Sequence, residues 1–146
     1  WRHALTREAV VAELLPPERS ALAVGAARAL LAHGGEDDES AAADLLAAAG
    51  DRRAAAEIWL RQIGRDMTKG AMRSAEQRLD QLAEEAALPV QVAMERVRLY
   101  TLIGDANRAL EVGTAALELS TGEDHAELCL RLARAAIIAR RWKETE

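Results

Sequence analysis

The chain has 146 residues, which suits one domain or one stretch of a larger protein. Half of its residues are apolar and 29% are charged; Ala alone supplies 33, Phe is absent and aromatics make up 3%. The net charge is −5 and no Lys/Arg block stands out, so composition argues against direct nucleic-acid contact by this segment. Ala has the best helix propensity and Leu, Arg, Glu and Gln follow it, while strand formers are scarce, so an all-α fold is expected. The single Cys129 excludes an internal disulfide and fits a reducing, cytoplasmic setting. No apolar run approaches the roughly 18 to 20 residues that span a bilayer, and no signal peptide is present. The chain begins at Trp1 and stops at Glu146 in mid-pattern, which reads as an excised fragment.

Taken in order, the first helix is expected from about Ala4 to Leu15, with Leu5, Ala9, Ala12 and Leu15 near one face. Pro16-Pro17 breaks it, and Pro17 suits the start of a second helix running to about Ala32. Gly34-Gly35 ends that helix, and Glu36-Asp37-Asp38-Glu39 reads as a solvated acidic connector before a short helix capped by Ser40 and ending at Ala49. Further helices follow at about 53–69, 71–87, 90–103, 106–119 and 125–139, separated by Gly70, Pro89, Gly104-Asp105 and a connector over 120–124. Arg140-Arg141-Trp142 reads as a turn that opens one more helix.

The turns recur. Gly70 and Gly104 are 34 residues apart, and Gly104 and Arg140 are 36 apart. A small residue stands five positions after each: Ala75, Ala109 and Thr145. Two helices per period of about 34 residues is the tetratricopeptide spacing. The stretch 90–121, with Tyr100, Leu102, Gly104, Asp105, Ala109, Leu110, Ala116, Leu117 and Leu119, resembles that family most closely; Arg96 and Gly113 depart from it, standing where the family prefers an apolar and an aromatic residue. Ala109 and Ala116, seven apart, share a helical face and let neighbouring helices nest. The resemblance implies a right-handed superhelix of antiparallel helix pairs.

The front of the chain carries a second likeness. Trp1-Arg2-His3-Ala4-Leu5-Thr6-Arg7-Glu8-Ala9 resembles the phrase that closes the winged-helix part of signal-transducing ATPases, and Leu14 to Arg19, Ala43 to Asp51 and Ala54 to Ala56 continue it. Together these look like large LuxR-type transcriptional regulators, in which helical repeats lie between a nucleotide-binding ATPase and a helix-turn-helix. The implied organisation is a connector over 1–35 and a tetratricopeptide-like array over 40–146, truncated at its C-terminus. Neither a phosphate loop nor a helix-turn-helix occurs in the chain itself.

By the family pattern, the inner wall of the array comes from the first helix of each pair, which nominates Glu57, Leu60 and Met67, then Gln91, Met94, Arg98 and Thr101, then Glu127, Leu130 and Arg134. Met67 and Met94 suit an adaptable surface but equally serve as core filler, the reading their residue type favours. Arg98 and Arg134 stand 36 apart and are placed to grip a carboxylate, unless solvent or a nearby Glu occupies them. Other constellations point nowhere: His3, His33, His125 and Cys129 lack metal-ligand spacing, Cys129 among Leu128, Leu130, Leu132 and Ala133 reads as a buried thiol, and the acidic run lacks the pattern of a calcium loop. The helix at 125–139 is apolar around most of its circumference, which predicts an exposed apolar edge that self-associates.

The expected function is therefore non-catalytic: a repeat region of a LuxR-type regulator that needs no cofactor and binds a protein, a peptide or a small effector, with no membrane contact. The alternative is a free-standing tetratricopeptide adaptor. An α-helical enzyme would need convergent polar groups in a pocket, and the sequence offers no such cluster.

Overall fold

A computed structural model describes residues 13–85 and 87–143, with side chains as far as residue 140. Trp1 to Ala12, and with them most of the expected first helix, the ATPase-like opening phrase and His3, lie outside the described residues, as does Thr145. The described residues form seven helices and no strand: α1 (Pro16–His33), α2 (Glu36–Ala48), α3 (Arg52–Thr68), α4 (Met72–Glu84), α5 (Pro89–Leu102), α6 (Ala106–Leu117) and α7 (Gly122–Lys143). The chain is all-α, as its composition dictates. None of these helices is long and apolar enough to cross a membrane.

Two compact units divide between Ile58 and Trp59, inside α3 rather than at the acidic run. In the first, α1 packs on α2. Their buried residues are small, with Ala27, Ala42 and Ala43 fully enclosed and Leu46 beside them in the sequence pattern. The acidic run is not a connector. Gly35 is the extended N-cap, and Glu36, Asp37, Asp38 and Glu39 form the first turn of α2. Four carboxylates at a helix N-terminus meet the positive end of the backbone dipole, which favours starting the helix four residues before Ser40. The Asp38 carboxylate also lies 2.7 Å from Nδ1 of His33.

The second unit carries the regular part. Helix α3 ends in a Schellman turn: Gly70 N–H donates to the Met67 carbonyl and Ala71 N–H to that of Asp66. The end of α5 repeats it, with Gly104 N–H on Thr101 and Asp105 N–H on Tyr100. Both glycines have φ near +84°, the left-handed region in which a Cβ is disfavoured. The end of α2 uses the same device, with Gly50 N–H on Ala47 and Asp51 N–H on Leu46, so the turn is not confined to the 34-residue step. Helix α4 stops at Glu84, short of the expected 87, and Leu88 at φ 53° turns the chain into Pro89, the first residue of α5.

Helix α5 is the hub. It packs on α4, α6 and α7, and α6 also packs on α7. Val90, Ala93, Met94, Val97 and Tyr100 of α5 share a core with Ala109 and Ala116 of α6 and Leu128 and Ala135 of α7. Ala109 and Ala116 are buried as their spacing requires. At Gly113, between them, the α6 backbone passes so close to its neighbours that a Cβ would sit 2.4 Å from Cδ2 of Leu132 and 2.9 Å from Cγ2 of Val97. An aromatic residue there has no room.

Three expectations about the C-terminal part fail. The connector over 120–124 is shorter than drawn, because α7 already starts at Gly122. There is also no turn at Arg140: α7 runs unbroken for 22 residues to Lys143, so Trp142 does not open a new helix. Arg and Ala are good helix formers and no Gly or Pro interrupts the segment, so nothing local stops the helix there. The 36-residue step from Gly104 to Arg140 is therefore not a repeat of turns. Cys129, expected to be buried, is exposed. It lies on an outward face of α7 with Ala126, Leu130, Ala133, Ala136 and Ile137, while Leu128, Leu132 and Ala135 face inward.

Candidate functional site

The odd-numbered helices of the second unit share one open surface. A groove of about 620 Å³ is lined by Leu60, Arg61, Gly64, Arg65 and Thr68 of α3, Gln91, Met94, Glu95 and Arg98 of α5, and Arg131 of α7. It continues through Arg98 and Arg131 into a smaller recess of about 260 Å³, lined also by Val97, Thr101, Leu102, Glu127 and Arg134. No residue of α4 or α6 lines either part.

Local helix geometry places the lining groups. Arg61 and Arg65 are four residues apart, as are Gln91 and Glu95, and Arg98 follows Glu95 by three, so each set occupies one helical face. Gly64 leaves room on α3, and Nη1 of Arg98 lies 3.5 Å from the position a Cβ would take there. Gln91 donates to Asp124 Oδ2 at 2.9 Å, joining α5 to the start of α7.

Arg131 is the centre of the polar floor. Its Nη1 donates to Glu95 Oε1 and to the Met94 carbonyl, both at 3.0 Å, and its Nε donates to Glu127 Oε1 at 2.8 Å. Burial alone would lower the Arg131 pKa, but the bonds to Glu127 and Glu95 outweigh it and hold the pKa above the ordinary arginine value. The other oxygen of Glu95, Oε2, accepts from Arg98 Nη1 at 3.3 Å. One half-buried carboxylate is thus held between two guanidinium groups, one from α5 and one from α7. Arg134 forms no ion pair with a described residue and is exposed.

Of the residues nominated from the sequence, Leu60, Gln91, Met94, Arg98, Thr101, Glu127 and Arg134 line this surface. Met67 does not. It is 2% exposed and fills the core, where an unbranched apolar chain belongs. Leu130 is exposed but on the outward face of α7, because the helix turns its Leu128–Leu132–Ala135 side to α5 and α6. Glu57 belongs to the first unit, and its carboxylate accepts from Arg53 at 3.4 Å. Sequence reasoning missed Arg61, Arg65, Glu95 and Arg131. A signal for the last two was present: Glu95 and Arg131 are opposite charges at the same 36-residue offset as Arg98 and Arg134.

On the far side of α5, away from the groove lining, a second polar cluster ties α4, α5 and α6 together. Arg96 pairs with Asp80, Arg108 pairs with Glu76 at 3.3 Å, and the Arg108 guanidinium stands 5.3 Å from the Tyr100 ring centroid. Arg96 of α5 is thus held by an acid on the neighbouring helix α4. Burial raises the Tyr100 pKa above its ordinary value, Glu76 adds to the shift, and Arg108 opposes it.

Among the described residues no group of three or more His, Cys, Asp or Glu side chains could hold a metal ion. Ser120 and His125 are hydrogen-bonded, Oγ to Nδ1 at 3.0 Å. The Ser120 hydroxyl, however, donates to the Leu117 carbonyl at 3.0 Å, and so accepts from the imidazole. That is the reverse of the polarity a serine nucleophile needs.

No family model matches the chain, and neither the curated proteins nor the solved structures contain a match to it.

Proposed function

We propose that the second unit is a tetratricopeptide-like binding module whose ligand docks against α3, α5 and α7, and that the chain serves as the sensing or docking arm of a LuxR-type regulator. The observation that carries the first part is the division of labour among helices. Alternate helices, α3, α5 and α7, supply the whole groove lining, and α4 and α6 supply none of it. A stack of antiparallel pairs generates such an arrangement, because every second helix faces the same way. The buried Ala75 and Ala109, each five residues after a turn glycine, and the buried Ala116 support the same reading.

The regulatory part rests on the sequence phrases from Trp1 to Ala9 and from Leu14 to Ala56. In that setting a protein, peptide or small effector held by the repeats shifts the balance between resting and oligomeric states of a neighbouring ATPase. The outward apolar face of α7 is where the chain would self-associate.

Affinity capture with the immobilised chain, followed by mass spectrometry of the bound molecules, tests the docking surface. Changing Arg98 and Arg134 together to Ala is expected to remove captured partners, and changing Leu60 to Glu is expected to do the same. Capture that survives both variants rejects the groove as the docking site.

A further inference from the structure

Guanidinium groups outnumber carboxylates along the groove, in a chain of net charge −5. Four arginines (Arg61, Arg65, Arg98 and Arg131) surround its larger part, and Glu95 is the one carboxylate among the lining residues. Arg134 adds a further guanidinium in the recess, opposed by Glu127. The floor between these charges is apolar at Leu60 and Met94. Clustered guanidinium groups over an apolar floor match a segment that alternates carboxylate and apolar side chains.

Glu95 occupies a particular position in this scheme. Its two oxygens are held by Arg131 and Arg98, one from each side. Those are the donors that an incoming carboxylate would need. Arg131 has two other acceptors, Glu127 and the Met94 carbonyl, and so stays anchored when Glu95 lets go.

Resting on the binding-module reading above, we infer that the ligand is an acidic peptide segment of a protein partner, and that Glu95 is a built-in competitor which holds Arg98 and Arg131 until the ligand's carboxylate displaces it. The displacement exchanges one carboxylate for another on the same guanidinium groups, with no proton moved. Affinity is thereby limited by an intramolecular ion pair.

The test uses the full chain and fluorescence anisotropy with a labelled eight-residue peptide of alternating Glu and Leu, its Lys/Leu counterpart, and a short single-stranded oligonucleotide and inorganic phosphate as competitors. The acidic peptide is expected to bind and the basic one not to. Glu95→Gln keeps the side chain's size and removes its charge; it is expected to tighten binding by about threefold to tenfold, the worth of one partly exposed ion pair. A purely structural Glu95 would give the opposite sign, because its loss would loosen α5 from α7 and weaken binding. Arg134→Glu, at an exposed position without an ion-pair partner among the described residues, tests the charge without endangering the fold and is expected to weaken binding by a similar factor.

Weaker or unchanged binding by Glu95→Gln overturns the competitor role. Equal binding of the acidic and basic peptides, no binding of the acidic one, or tighter binding of the oligonucleotide overturns the ligand class. If capture of natural partners is still lost with Leu60→Glu but is indifferent to the arginines, the docking surface stands and the anionic ligand alone is rejected.

Discussion

Replacing Leu128 by Ala is expected to lower the stability of the second unit by about 3 kcal/mol. Leu128 is fully buried and sits where α7 meets α5 and α6, in the cluster of Val90, Ala93, Met94, Val97, Tyr100, Ala109 and Ala116. Removing its branched end deletes the transfer free energy of the lost carbons and leaves a cavity. Close-packed neighbours relax only partly into such a space. The shift should appear as a lower urea midpoint for loss of helical circular dichroism, with little change in slope. Leu130→Ala, two residues along on the outward face, serves as the comparison and should change stability by less than about 1 kcal/mol. Equal effects of the two changes would mean that α7 does not pack as described.

The second large effect is expected at Gly113, and it has an unusual sign. In an exposed helix, Gly→Ala stabilises by about 0.5–1 kcal/mol, because glycine has more backbone freedom to lose. Gly25, in the middle of α1 with open space where a Cβ would go, should follow that rule. Gly113 should violate it. A Cβ there overlaps Leu132 Cδ2 at 2.4 Å, which a flexible side-chain end can partly relieve. It also overlaps Val97 Cγ2 at 2.9 Å, and Val97 is fully buried and stiff about χ1. The overpacking cost exceeds the helix gain, so Gly113→Ala is expected to destabilise by about 1–2 kcal/mol and Gly113→Val by about 3 kcal/mol. Thermal denaturation of the three variants checks the contrast. A stabilised Gly113→Ala would mean that α6 stands further from α5 and α7 than described.

Much of this fold is legible in the sequence, for identifiable reasons. An alanine-rich chain with few strand formers has little choice but helix, and Gly70 and Gly104 mark helix ends because the Schellman turn needs a left-handed residue at that point. Leu60, Met94 and Arg98, nominated from the family pattern, line one groove, whereas Met67 and Leu130, nominated on the same pattern, do not. What failed is equally physical. The turn expected at Arg140 rested on period alone, against residues that propagate helix, and the local preference prevailed. The acidic run looked like loop because four charges are soluble, yet the same charges stabilise a helix start.

Cys129 and Leu130 were misplaced for a different reason. Helix α7 is apolar on several sides, and no pattern within it says which side meets a neighbour. That choice belongs to α5 and α6, which take Leu128, Leu132 and Ala135. The groove's central ion pair left only a weak trace, its 36-residue offset. Glu95 and Arg131 are ordinary charged residues until α5 and α7 bring them to 3.0 Å.

The account depends on α3, α5 and α7 presenting one shared ligand surface while α4 and α6 stand behind it. Backbone amide chemical-shift mapping during titration with the alternating Glu/Leu peptide measures this residue by residue. The predicted result is a contiguous set of shifts at Leu60, Gly64, Gln91, Glu95, Arg98 and Arg131, with Glu76, Arg108 and Glu111 unmoved. Shifts centred on α4 and α6, or confined to the outward face of α7 around Cys129 and Ile137, would contradict it.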